Sequence, residues 1–381
     1  MESQPAKPDK ISFATMDAVR GVAALCVMLC HYPLDSSAFL FPGSSIAVDI
    51  FFCLSGFVLC HSYEDRLERG LGAPVFFELR LIRLYPLYIL GAALGMLAYG
   101  LSALSIDYGN SAALTIGAFV CAVFMLPMLQ NFTADVGAFR TNHVLYPMDG
   151  PAWSLFFELF VNVLFALYRP RGRSLVLLLT GSFALFAYST ALFDGSPGWS
   201  IGNFVGGFPR VIYSFYLGFA LYHLWKKGLL RSYRLAPFLA PLMVLALCAL
   251  PSDKWLLIGS VLLFTPMVVA LSVAQPASEP FRRFYALLGE ASYPVYVLHL
   301  PAYNLMALGL TRLHICAPGA PPPFAARVTL VVVVCVASIG LARLYDQPGR
   351  RWLAGKAFPA IKRLAGKPFP TGGREADDAA R

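Results

Sequence analysis

Residues 16–32, MDAVRGVAALCVMLCHY, decide how this chain is read. The stretch is apolar and long enough to begin a membrane span, yet it carries Asp17, Arg20 and His31. An ionisable side chain inside such a segment is costly and by default marks a functional position. Arg20 and His31 are eleven residues apart, which at ~100° per residue returns almost to the same helix face. Along the axis this is roughly 16 Å, about half the hydrocarbon thickness. One stripe of the helix therefore presents a guanidinium near one membrane surface and an imidazole deep in the bilayer or towards the far side. The plainer alternative is an Arg that snorkels to headgroups and a His at the opposite interface.

Composition extends this reading to the whole chain. Of 381 residues, 58% are hydrophobic and 13% charged, with a mean hydropathy of +0.64, against about 25% charged residues in a soluble domain. Apolar windows of about 20 residues recur throughout, which implies an all-α, polytopic membrane bundle and not a barrel. About ten to eleven transmembrane helices are expected. The net charge of +9 sits mostly in short segments flanking apolar windows, as orientation signals do, so no nucleic-acid partner is implied. Seven of the eight cysteines (26, 30, 53, 60, 121, 248 and 335) lie in apolar windows and Cys316 in a loop. They behave as small hydrophobes and form no disulfide framework. Cys26, Cys30 and His31 lie close on one helix but match no standard zinc spacing, so no metal site is expected. The first apolar run lacks a small-residue cleavage site and reads as a signal anchor.

Lys7 and Lys10 place the N-terminus in the cytoplasm. Helix 1 runs over about 14–33 and helix 2 over about 45–63, with Asp49 near its external start and Ser55 and Gly56 allowing close helix approach. The charged stretch 64–83 is internal; Arg80 and Arg83 share a face if it is helical. Helix 3 spans about 84–104 with Pro86 in its first turn, and another apolar window covers 112–130. Helix 5 begins at Pro151, carries Trp153 at the interface and Glu158 within the membrane, and ends at the basic knot RPRGR, 169–173. Further windows at about 174–193, 206–225, 235–250, 255–273, 287–308 and 325–345 alternate in charge as they should, leaving a basic internal tail from Asp346. If every window crosses, RPRGR falls outside and the positive-inside rule breaks. A non-crossing, re-entrant segment at 112–150 removes the conflict, and irregular backbone at membrane depth is tolerated only beside a cavity.

Taken in order, seven segments resemble membrane-bound acyltransferase family 3, the bacterial integral-membrane O-acyltransferases of surface glycans. They are the Arg20-to-His31 spacing, VDIFFCLSGF (48–57), ELRLIRLYPLYIL (78–90), WSLFFELF (153–160), RVIYSFYLGFAL (210–221), LGEASYPVYVLHLP (288–301) and YDQPGRRWL (345–353). The resemblance covers about residues 12–352. It implies a membrane acyltransferase domain over 1–352 and a basic, partly disordered cytoplasmic tail over 353–381. The family's fifth-helix motif usually reads Ser-Val-Glu and continues Glu-x-x-Phe-Tyr, whereas here Phe-Phe-Glu158 is followed by LFVNV. No appended hydrolase-like domain is expected.

The resemblance implies transfer of an acyl group, usually acetyl, from cytoplasmic acyl-CoA as co-substrate to a hydroxyl of a carbohydrate acceptor, in the bacterial inner membrane with both termini cytoplasmic. No bound cofactor is implied. A sugar hydroxyl is a poor nucleophile at neutral pH, and a neutral imidazole taking its proton is worth roughly 10²–10⁴-fold. His31 is the best-placed base; direct transfer and an acyl-His intermediate both stay open. Arg20, with Asp17 orienting it, faces the donor; Arg80 and Arg83 suit coenzyme A phosphates. Glu158 either orients His31 or binds the acceptor. His299 is the second candidate base, while Ser55 serves packing and Trp153 an aromatic belt or a sugar platform. Two other classes compete: a transporter or flippase for a glycan or lipid-linked precursor, which lacks a visible internal repeat here, and a scaffold, which needs no charges in its spans.

Overall fold

A hydrocarbon core offers no water to backbone N–H and C=O groups, so apolar windows satisfy them internally as helices. The computed structural model describes residues 13–32, 40–104, 107–136, 139–141, 143–193, 195–276, 278–317 and 320–357. Lys7, Lys10 and tail residues 358–381 lie outside these. The helices are α1 Ala14–His31, α2 Ser45–Glu68, α3 Ala73–Ala103, α4 Ala112–Val123, α5 Trp153–Leu167, α6 Arg173–Leu192 and α7 Gly207–Lys226. They continue with α8 Ala236–Ala249, α9 Lys254–Leu271, α10 Glu279–Arg312, α11 Phe324–Leu341 and α12 Gln347–Trp352. A three-residue hairpin, β1 Ala134–Val136 with β2 Phe139–Thr141, is the sole sheet among the described residues. The protein is an all-α bundle, as its hydropathy requires.

Local chemistry sets several ends. Ser111 Oγ accepts from Leu114 N–H at the start of α4, and Asp253 accepts from the N–H groups of Trp255 and Leu256 at the start of α9. Helix α4 has 12 residues, a rise of about 18 Å, too short for a ~30 Å core. Residues 124–149 fold back: Met128 N–H donates to Leu145 O, Tyr146 Oη–H to Met125 O and Tyr88 Oη–H to Ala122 O. Helix α4 is accordingly a short apolar helix and not one of the candidate spans.

Eight helices among the described residues are long and apolar enough to cross a membrane, fewer than the ten to eleven expected. Helix α8 has 14 residues. Helix α10 has 34 but carries Glu279, Arg282, Arg283, Glu290 and His299, which lower its hydropathy; its apolar middle is buried by neighbouring helices. Two boundaries also move. Helices α2 and α3 run on through the charged stretch, leaving only 69–72 between them, so Arg80 and Arg83 do share a helix face. Pro86 consequently lies mid-helix, not in a first turn, and frees the Ile82 carbonyl. The chain beyond Asp346 is no loose tail at first: a widened turn, Ala342–Asp346, leads into α12, and Gly349 packs against Pro86.

Two features fix the frame. On α2 and α7 a Cβ at Gly56 would stand 1.9 Å from Phe215 O, and one at Gly218 1.8 Å from Cys53 O, so these helices touch backbone to backbone. Near the other end of the same seam, Arg210 and Asp49 are wholly buried. Arg210 grips the carboxylate through Nε (3.0 Å) and Nη2 (2.7 Å), donates to Pro197 O and Ser45 O, and Ser214 Oγ–H donates to Asp49.

Candidate active site

A cavity of about 170 Å³ opens between α1, α2, α3, α5 and α10. Its polar lining is Arg20, Arg80, Arg83, Glu158, Ser55, Ser154, Ser292, Tyr293 and Tyr296. The sequence-predicted cations thus meet, and each is placed by its helix. Arg20 on α1 has Asp17 one turn away at 3.8 Å. Asp17 fits because α10 offers Gly289 there: a Cβ on Gly289 would lie 2.5 Å from the Asp17 Cβ. Arg80 approaches Glu158 Oε1 at 3.5 Å, and Ser55 Oγ–H donates to the same oxygen at 2.5 Å. Ser55 is therefore a ligand of Glu158 as well as a packing residue. Arg83 lies 3.8 Å from Asp346 and stacks over Tyr293, 5.7 Å from the ring centre. Asp346, also held by Arg350, had read as the start of a polar tail; hydropathy gives no sign of a partner two hundred residues away. Asp17 and Asp346 stand behind Arg20 and Arg83, outside the lining, so the surface that faces the cavity presents three guanidiniums to one carboxylate and favours an anion.

His31 and His299 do not line this cavity. They form a separate pair, His299 Nε2 to His31 Nδ1 at 3.2 Å. The remaining contacts assign the protons. His299 Nδ1 lies 3.0 Å from Val295 O and must donate to it, leaving Nε2 as an acceptor. His31 Nδ1 lies between that acceptor and Val27 O, 2.9 Å away, so it too carries hydrogen. The His31 lone pair is then on Nε2. Pro301 lies within α10 and Tyr32 Oη–H donates to the His299 carbonyl at 2.7 Å, fixing this turn. Tyr296 joins the two regions. It lines the cavity, its hydroxyl lies 2.7 Å from Ser154 Oγ, and its ring is 6.3 Å from that of His299 and 5.6 Å from that of Phe51.

Other expected roles move. Glu158 contacts Ser55 and Arg80, and no contact with His31 is formed. Trp153 does not reach the cavity: it lies over Arg210, 5.5 Å from the guanidinium carbon, and beside Phe157. Asp149, four residues before α5 and just ahead of the candidate span Gly150–Leu167, is 2% exposed and finds no hydrogen-bond partner for either oxygen among the described residues. Burial raises its carboxyl well above the ordinary range, so it is carried as the neutral acid. Asp149→Asn, similar in shape and neutral, is accordingly expected to cost less than about 1 kcal/mol. Thermal unfolding in detergent checks this, and a loss as large as that of a broken buried ion pair contradicts it.

A family model described as an acyltransferase domain matches residues 13–343, which include every cavity-lining side chain and both histidines. The chain is 36% identical over 198 residues to "Protein 2 in picA locus" of Rhizobium radiobacter, covering 48% of this chain and 96% of that protein. It is 25% identical over 350 residues to "Exopolysaccharide production protein ExoZ" of Rhizobium meliloti (strain 1021), covering 87% of this chain and 99% of that protein. No solved structure matches. The chain is a multi-pass membrane protein and belongs to acyltransferase family 3.

Proposed function

We propose that this protein moves an acyl group, most simply acetyl, from cytoplasmic acyl-CoA to a hydroxyl of an exported or surface glycan, in the bacterial inner membrane with both termini in the cytoplasm. The observation that carries the reading is the pairing of a cationic cavity with a histidine whose Nε2 lone pair is left free. The glycan acceptor takes its support from the exopolysaccharide name of one relative. Arg20, Arg80 and Arg83 receive the donor as an anion. The thioester end enters this cavity while the nucleotide stays at its mouth.

The acceptor hydroxyl gives its proton to His31 Nε2 as its oxygen attacks the thioester carbonyl. The new C–O bond forms, the C–S bond breaks, and the imidazolium returns the proton to the departing thiolate. His299 is a positioning residue that, together with Val27 O, favours hydrogen on His31 Nδ1. The same lone pair serves as a nucleophile if an acyl-His forms; trapping of radiolabelled acyl-enzyme separates the routes.

Donor binding tests the reading directly. Arg83→Ala is expected to weaken acetyl-CoA binding about tenfold or more, since a charge-assisted contact is worth roughly 1.5–3 kcal/mol. Asp346 keeps Arg350 in that variant, so the fold stands. Calorimetry on purified protein reads this. Wild-type protein that neither binds nor turns over acyl-CoA sinks the acyl-CoA reading and brings a transporter of glycan precursors forward.

A further inference from the structure

A second cluster of chemistry-bearing side chains lies at the end of the α2–α7 seam, away from the cavity. We infer that Cys60, Glu64 and His223 form a zinc-binding site that joins α2 to α7. The Cys60 Sγ is 3.9 Å from His223 Nε2, which is 3.1 Å from Glu64 Oε1, and all three atoms lie within 4.8 Å of one another. A tetrahedral zinc ion with bonds of about 2.0–2.3 Å separates its ligands by roughly 3.3–3.6 Å. The cluster is near that size before any ion enters. Thiolate, imidazole and carboxylate together suit zinc; magnesium and calcium take oxygen ligands.

The backbone fixes this spacing. Cys60 and Glu64 stand one turn apart on α2, and His223 faces them from α7. The two helices meet at Gly56 and Gly218, where no side chain intervenes, so the donors are not free to drift apart. The ring of His223 is further held by Phe219 and Tyr222, at 4.6 and 5.4 Å. Cys60 and Glu64 are buried while His223 is 26% exposed, which leaves one side for the ion to enter and for water to complete the shell.

The surrounding charges are consistent with this. Arg171 reaches Glu64 at 3.3 Å but also Glu68 at 2.5 Å. It keeps Glu68 when Glu64 turns to a metal. Lys226 is engaged by Asp65 at 3.6 Å. A salt-bridge knot needs Glu64, His223 and Arg171 and has no use for a thiol. On binding, Cys60 loses its proton to solvent and the ion takes the resulting thiolate. Sequence spacing gave no sign of the site because its third ligand comes from a distant helix.

The test is titration of the tag-free, full-length protein in detergent with Co²⁺, with zinc content measured in parallel by mass spectrometry. Wild-type protein is expected to show a thiolate-to-cobalt charge-transfer band saturating at one ion per chain, displaced by Zn²⁺. Cys60→Ala should abolish the band, His223→Gln should weaken cobalt binding at least tenfold, and Cys316→Ser, in a distant loop, should leave both unchanged. The wild-type spectrum decides without any variant having to fold: no charge-transfer band overturns the site. A band that persists in Cys60→Ala or is undiminished in His223→Gln overturns it equally.

Discussion

His31→Ala is expected to lower acyl transfer by about 10²–10⁴-fold, the usual worth of a positioned general base, while acetyl-CoA binding is unchanged. The separation follows from geometry: the cationic cavity is built without His31. His299 supplies the sharper test, because it acts through His31. Its Nε2 shares the His31 Nδ1–H with Val27 O, which stays in place at 2.9 Å, so losing His299 loosens the ring and weakens, without abolishing, the preference for hydrogen on Nδ1. His299→Leu should therefore reduce kcat towards the lower end of the same range without raising KM for the donor. His299→Gln, which offers a carbonyl oxygen as acceptor, should recover part of the loss. Full turnover by His31→Ala would falsify the choice of base; full turnover by His299→Leu removes its positioning role and leaves His31 standing.

The largest effect on stability is expected at Asp49. Removing one member of a fully buried pair strands the other, which costs about 3–5 kcal/mol. In Asp49→Ala the Arg210 guanidinium keeps only Ser196, Pro197 and Ser45 as acceptors, none of them charged. Denaturant or thermal unfolding in detergent measures the loss. The double variant Asp49→Ala/Arg210→Met should be more stable than either single variant, since no charge is left uncompensated. If the two losses simply add, the pair is not coupled as its geometry requires.

These sites differ in how visible they are in one dimension. Helical membrane spans follow from hydropathy, because the bilayer reads composition directly. The Arg20-to-His31 and Arg80-to-Arg83 stripes follow from helical period. The re-entrant segment expected at 112–150 from the position of RPRGR is matched by a helix of only 12 residues there. What sequence does not carry is pairing through space. His299 stood as a second candidate base with no visible link to the first until it met His31, and Asp346 resembled a tail until Arg83 was seen beside it. Glu158 was singled out as an acidic side chain within a span, and its partners are Arg80 and Ser55. Trp153, an apparent interface anchor, covers an arginine instead. Each of these was decided by a contact between helices far apart in the chain, where neither periodicity nor composition has anything to report.

The glycine seam between α2 and α7 has a mechanical consequence. Two helices locked main chain to main chain, with an ion pair sealed into the same seam, have no room to slide by the small shear steps that side-chain packing permits. They serve as the stator. Helix α10 is also close-packed, with Gly21 of α1 against the Leu288 carbonyl and Gly91 of α3 against the Val297 carbonyl, but Pro294 and Pro301 bracket His299 and each removes one rung of the helical ladder. Any local bending around His299 is therefore cheapest at these two freed rungs within α10, and cross-linking α2 to α7 is expected to leave turnover unchanged.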